Sequence, residues 1–405
     1  MRRKWLAAVA AAALTATFGV AATAGVSGAS TPKASFTGSP IKIGLTYVCN
    51  AAQPPSVCEM APSAQAAAKY FNAKGGAKTA DGKTHQLSVV VCNNENDRTK
   101  TADCARQFVD AEVTFATGGA VNADELVPVL GAAGIAYFNP TPLGTGTVEG
   151  GADNSYLLGS TLSLFQGLVQ QLGKAGNKEI AVVAQGAGSA IAGLTKKIAT
   201  DNGAETSLVE VAQTNPNWAQ AAEQASSADV IMTVADKYGT KAFLDAMNQA
   251  GKKTPVTSVI GIVGDELVQA TGGKDSPLFG QTSTGYFPPV PDKAWADYRA
   301  AMKKYSPKTL QEPSSQSMFM SVQLGNEVIK TIASDPTAAN FITAANAMTD
   351  IPTLGGKLPS GLSFQKRQGL YPRQFNNTFW GNLKITATQV VNDKGASFLP
   401  VPAIS

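Results

Sequence analysis

One histidine, His85, stands in 405 residues. A Ser-His-Asp triad, a histidine-based zinc site or a histidine general base would each depend on that single ring. Its place after the polar Lys83-Thr84, just ahead of an apolar run, reads instead as a solvent-exposed lead-in to a strand. Charge is also scarce, at 15% of residues. With Arg2, Arg3 and Lys4 set aside, 30 basic residues face 29 acidic ones, so there is no basic bias to suggest nucleic acid. The four cysteines are Cys49, Cys58, Cys92 and Cys104, and their spacing fits neither a zinc site nor a redox CxxC pair. No cysteine precedes Cys49, so no attachment point for an N-terminal lipid anchor is expected. The first apolar stretch, Trp5 to about Ala24, is too diluted by Ala, Thr and Gly for the ~20 strongly apolar residues of a spanning helix.

That stretch follows the basic Met1-Arg2-Arg3-Lys4 and ends in small residues, Ala22-Thr23-Ala24 and Ser27-Gly28-Ala29. The pattern is that of a secretory leader over residues 1–29, followed by a polar tail over 30–40, and it predicts export out of the cytoplasm. In an oxidising compartment four cysteines read as two disulfides. Two local bridges, Cys49–Cys58 and Cys92–Cys104, are favoured; Cys49–Cys92 with Cys58–Cys104 stays open if the two strands are neighbours. A mature chain of about 375 residues exceeds one ordinary hydrophobic core, so two domains are expected.

From residue 41 short apolar runs alternate with amphipathic stretches. Ile41–Val48 and Leu87–Cys92 read as strands, with helices over Ser63–Ala73 and Thr101–Ala111 and Asp97 or Thr99 as a cap. Val113–Thr117 and Ile135–Phe138 follow as strands around a helix at 123–133. The pattern restarts near residue 160, with strands at Ile180–Ala184, Leu208–Ala212, Val230–Val234 and Val256–Gly261. Such alternation predicts an α/β fold: two Rossmann-like lobes with parallel sheets, joined by a multi-strand hinge. Late helices at Asp292–Tyr305, Gln316–Ser334 and Ala338–Met348, and strand segments at 362–364 and 382–391, add no third unit. The division expected is 41–157 plus 290–350 for the N-terminal lobe and 158–289 plus 351–405 for the C-terminal lobe. Crossings near 157–160, 286–291 and 350–361 would form the hinge.

Ligands of open α/β sheets sit beyond the carboxyl ends of the strands. The residues to inspect are therefore Tyr47 and Asn50 after the first strand, Ala120, Val121 and Asn122 after the third, and Asn139 and Thr141 after the fourth. In the second unit they are Gln185, Asp236, Tyr238, Val263 and Asp265. These segments, rich in Gly, Asn and Thr, suit hydrogen bonding to a small polar molecule, and the helix after Asn122 offers free N–H groups to an anion. Each residue reads equally well as an ordinary turn or cap. Gly186-x-Gly188 lacks the third glycine of a dinucleotide fingerprint and reads as a tight turn. Asp265-Glu266 opens a helix and suits its macrodipole. Neither a cofactor nor a metal is expected.

The strand IKIGLTYV, the helix ending Ala68-Lys69-Tyr70-Phe71-Asn72-Ala73-Lys74-Gly75-Gly76, the run Asn93-Asn94-Glu95-Asn96-Asp97, and Gly134-Ile135…Asn139-Pro140 resemble the leucine/isoleucine/valine-binding family. So does Leu362-Ser363-Phe364…Gly369, with Gln365 where that family often has an acid. The resemblance covers roughly residues 40–395. It implies the type 1 periplasmic-binding-protein fold and a monomeric solute-binding protein of an ABC importer. Such a protein captures an amino acid, amide or small carboxylate and delivers it to transmembrane permease subunits, without chemistry. It further implies that Ala120–Asn122 and Thr141–Leu143 hold a ligand carboxylate and that Tyr238 closes from the second lobe. Val263 stands where the family places a glutamate for an α-ammonium, a role open to Asp236, Asp265 or Glu266. A ligand-sensing receptor of the same fold is the alternative, and an exported enzyme a more distant one.

Overall fold

The computed structural model describes residues 35–49, 58–95, 97–119, 123–140, 147–158, 161–259, 262–263, 265–285, 290, 292–349, 352, 386–390 and 398–400. All of these lie in one compact unit, Ala34–Ser405. The expected leader and most of the expected hinge residues lie outside them.

Strand β1 (Ile41–Tyr47) sends Ile41, Ile43 and Leu45 into one core, the period of two that extended backbone imposes. Helix α1 (Met60–Ala73) packs beside it through Ala64, Ala66, Ala67 and Ala68, whose small side chains permit close approach. Gly75 and Gly76 end the helix, both at positive φ. A hairpin then pairs β2 (Ala77–Lys78) with β3 (Thr84–His85), antiparallel, before β4 (Leu87–Asn93). The hairpin overturns the expectation of an exposed His85. Its ring is fully buried, with Nδ1 2.8 Å from the Ser39 carbonyl oxygen. Alternation along the two-residue strand leaves Thr84 half-buried and turns its neighbour inward.

Helix α2 (Arg98–Asp110) is capped by Asp97, which accepts from the Lys100 N–H at 2.8 Å. Strand β5 (Phe115–Gly118), α3 (Ala123–Ala132), β6 (Ala136–Asn139), α4 (Thr147–Gly151) and β7 (Ser155–Leu157) complete the first sheet. Its order is β4-β1-β5-β6-β7, parallel throughout. The periodicity shows four of these strands; β7 and α4 are too short to display a period.

The second sheet is built from α5 (Thr161–Lys174), β8 (Glu179–Gln185), α6 (Ser189–Asp201), β9 (Glu205–Val211), α7 (Trp218–Ala225), β10 (Val230–Val234), α8 (Lys237–Gln249) and β11 (Val256–Thr257). Its order is β11-β10-β8-β9, again parallel. Ile180, Val182 and Ala184 of β8 enter a core with α5 and α6. Ala181 and Val183 enter the opposite core, formed with α7, α8 and α9 (Asp265–Ala270). Helices on both faces explain why β8 reads as an unbroken apolar run. Strand β11 is shorter than the predicted Val256–Gly261. Beyond it a side chain makes the link to β10, as the Ser258 hydroxyl donates to the Thr233 carbonyl at 2.6 Å.

Strand β12 (Thr282–Gly285) pairs antiparallel with β13 (Thr386–Val390), which pairs with β14 (Phe398–Pro400). Between β12 and β13 the chain returns to the first sheet as α10 (Ala296–Tyr305), α11 (Pro313–Ile329) and α12 (Ala338–Ala347). The Tyr70 hydroxyl on α1 donates to Asp297 on α10 at 2.8 Å. Phe341 of α12 stacks on Phe115 of β5, with ring centroids 4.6 Å apart. Helix α11 is buried almost throughout and lies close enough to β5 that a Cβ at Gly325 would stand 2.2 Å from the Phe115 ring.

The four cysteines form Cys49–Cys58 and Cys92–Cys104, with Cα atoms 4.8 and 5.5 Å apart. These are the two local bridges, although β1 and β4 are indeed neighbours.

Gly325→Ala should therefore cost about 1–3 kcal/mol by overpacking, whereas Gly193→Ala, on the open face of α6, should be neutral or stabilising by up to about 1 kcal/mol. Urea unfolding of the two variants checks the contrast.

Candidate functional site

The carboxyl ends of β1, β4, β5 and β6 come together along one edge of the first sheet. Two reciprocal bonds tie β1 to β4 there: the Cys49 N–H donates to Asn93 Oδ1 at 2.9 Å, and Asn93 Nδ2 donates to the Cys49 carbonyl at 2.8 Å. The Cys49–Cys58 bridge begins at the same point, so the departure of the chain from β1 is fixed covalently. Tyr47, the last residue of β1, is half-buried against the core behind the sheet. Gly118 ends β5 at φ +151°, and a Cβ there would meet the Thr46 carbonyl at 2.0 Å. Only glycine lets the two strand ends lie so close. Asn50, Ala120, Val121, Asn122 and Thr141 lie outside the described residues.

Asn139 is fully buried at the end of β6, and its Nδ2 donates to Glu149 Oε1 at 2.7 Å. Its side chain is thus engaged with α4, an arrangement with no sequence signal because α4 itself has none. The Glu149 N–H donates to Asp124 Oδ1 at 2.8 Å, joining α4 to the first turn of α3. Burial pushes the Glu149 carboxyl up to about 7, against the opposing effect of the Asn139 bond and with a further upward push from Asp124. The first turn of α3 already carries two acids, Asp124 and Glu125, the latter 3.0 Å from Arg98.

On the second sheet, Gln185 ends β8 half-buried, and Gly186–Gly188 forms a single 3₁₀ turn into α6. A Cβ at Gly188 would stand 2.7 Å from the Val234 carbonyl, so the glycine serves a close backbone approach, in keeping with a tight turn. Asp236 caps α8, its Oδ1 accepting from the Gly239 N–H at 2.7 Å. Gln185 Oε1 lies against Gly239, 2.8 Å from where a Cβ would be. Gln185, Asp236 and Gly239 are therefore brought together, with Tyr238 beside them and 45% exposed. Val263 is buried in the core with Leu267 and Val268, and Asp265 is the first residue of α9. Lys237 lies in the same post-strand segment, between Asp236 and Tyr238, and its Nζ is 3.6 Å from Glu312 at the start of α11, a partner that the segment alone does not announce.

A family model for periplasmic binding proteins matches residues 40–367. The chain belongs to that family. Membership carries an extracytoplasmic location with it. Among solved structures, this periplasmic binding protein is similar to an extracellular ligand-binding receptor from Verminephrobacter eiseniae, at 16% identity and a TM-score of 0.74, covering 88% of this chain and 99% of that one. A Rhodopseudomonas palustris solute-binding protein in complex with 3,4-dihydroxybenzoic acid has 16% identity and a TM-score of 0.70, covering 89% and 96%. A Streptococcus pneumoniae branched-chain amino acid binding protein in complex with isoleucine has 16% identity and a TM-score of 0.66, covering 89% and 100%. At these identities the likeness shows the α/β fold. No curated protein sequence is similar enough to count as a relative.

Among the described residues no group of His, Cys, Asp and Glu could hold a metal ion, and no helix is long and apolar enough to cross a membrane. A cavity of about 240 Å³ beside Leu244, Asn248, Lys252 and Thr271 lies at the far end of α8 from Tyr238, away from the strand ends.

Glu149 yields a pH prediction. The folded protein holds its proton up to about pH 7, whereas the unfolded chain releases it near 4.5. The group's contribution to stability is thus complete below pH 4.5 and falls as pH rises towards 7, by about 3 kcal/mol in all. Relative to Glu149→Gln, the wild type should lose that much between pH 4.5 and 7.5 in urea unfolding. Parallel pH profiles for the two proteins would contradict the assignment.

Proposed function

We propose that this chain is the solute-binding component of an ABC-type importer, which holds one small polar molecule between its two sheets and passes it unchanged to a membrane permease. Membership in the periplasmic binding protein family carries this reading, and the two parallel sheets with fixed carboxyl edges support it. The similar structures hold ligands as unlike as isoleucine and 3,4-dihydroxybenzoic acid, so the ligand has to be argued from the residues.

The candidate contacts are Asn122 and Thr141 from the first sheet and Tyr238 from the second, with Tyr47, Asn50, Ala120, Val121, Gln185, Asp236 and Asp265 around them. Asp124 and Glu125 already occupy the first turn of α3 and draw on its macrodipole. A ligand carrying only a carboxylate is repelled there. A neutral amide or a zwitterionic amino acid fits better, because each brings a donor as well as an acceptor. Val263 supplies no acid for an ammonium group, being buried and apolar, so an amino acid would need Asp236, Asp265 or Glu266, whereas an amide needs none of them.

A thermal-shift screen of neutral amides, amino acids and simple carboxylates tests this. A true ligand at about 100 times its Kd adds about 2.7 kcal/mol of stability. Amides should give the largest shifts. A response to carboxylates alone would contradict the ligand class, and no response in any class would contradict the function. With a responding amide in hand, Asn122→Ala and Thr141→Val should each weaken binding by roughly tenfold, one lost hydrogen bond apiece.

A further inference from the structure

Lys237 opens α8 on the second sheet, and Glu312 caps α11, which packs on the first. Their charged ends are 3.6 Å apart, and the two side chains are 11% and 19% exposed. Among the described residues, no other salt bridge joins an element of one sheet to an element of the other.

The dipole of its own helix does not favour Lys237. A cation in the first turn of a helix opposes the macrodipole, so the residue is poorly placed for α8 and well placed for a partner across the gap. Glu312 is the reverse case, since an acid at a helix N-terminus suits α11. It is also firmly held. Its backbone N–H donates to the Ser315 hydroxyl at 3.2 Å; that hydroxyl bonds the buried Tyr298, and the Ser315 carbonyl accepts from Ser63 on α1. Two large apolar side chains left exposed, Tyr238 and Leu310, are close chain neighbours of the pair, one on each side.

We infer that Lys237 and Glu312 form a latch across the opening between the two halves, made as their carboxyl edges approach and broken as they part. The pair attracts whether or not a solute is present, and its attraction grows as water leaves. It therefore raises the closed population of the empty protein and lowers the conformational cost that a solute must meet. Tyr238, next to Lys237, comes towards the first sheet as the latch forms. The inference rests on the proposed function, in which the two halves move.

The test needs no solute. Spin labels carried by non-natural amino acids at the exposed Lys69 on α1 and Lys196 on α6 report the distance between the halves by double electron–electron resonance. Wild type, Lys237→Met, Lys237→Glu and the swapped pair Lys237→Glu/Glu312→Lys are compared. Lys237→Glu places an acid where α8 favours one, so it leaves the helix itself sound. The latch predicts that Lys237→Met and Lys237→Glu move the population towards longer distances, by about tenfold in the closed-to-open ratio for the reversal. The swapped pair should return towards wild type. The same broad distribution in all four proteins would overturn the latch and leave the proposed function intact. One narrow distance in all four would also overturn the latch, and the same distance after a responding amide is added would overturn the proposed function as well.

Discussion

The first sheet cannot bury its own face. The rings of Phe115 and Phe138 on β5 and β6 are covered by Phe341 of α12, the first stacked and the second tilted against it. Phe71 and Tyr70 of α1 are met by Phe319 of α11. This core is thus closed by residues more than 200 positions further along the chain. The chain must leave after β7, build the second sheet and come back before α10. It must then leave again to pair β13 with β12, whose Thr284 hydroxyl bonds the Leu164 carbonyl of α5. Three passages between the two sheets follow from that packing alone. Under the proposed function, those passages serve as the hinge about which the two halves open and close.

The proposed opening and closing would act on what stands at the carboxyl edges. Both sheets are parallel, so each directs all its strand ends, and the first turns of the helices that follow, the same way. Those turns carry charges that their helices do not explain equally. Asp236 caps its helix, while Asp124 both draws on its helix end and accepts from Glu149. Lys237 opposes its own helix and is balanced by Glu312. Glu149 is buried with a proton that neutral water contests. Of these, Glu149 and Lys237 are the two held against their local preference, which supports the proposed binding edge.

Much of the architecture is legible in the residues, and the reasons differ by element. Val230–Val234 is predicted to the residue, and β8 to within one at each end, because helices on both faces demand continuous apolar side chains. The late helices show clear periodicity, and the expected division sets 290–350 with the first sheet; the contacts that hold them there, Gly325 and Phe341 meeting Phe115, are not read from their pattern. His85 is misread because the polar Lys83-Thr84 hides a hairpin two residues wide. At the site, Gln185, Asp236 and Tyr238 are brought together as neighbours. Asn139 turns out to be bonded to an acid on a five-residue helix that no periodicity reveals. Lys237 falls in a segment that strand-end reasoning already marks, but its pairing with Glu312 does not show, because the partner lies 75 residues away.

The account stands on the two halves enclosing a small molecule. Small-angle scattering measures this directly, as the radius of gyration of the protein alone and saturated with a solute whose binding is established by calorimetry. The radius should fall on saturation. An unchanged radius with the site full would contradict enclosure and point to a rigid receptor of the same fold.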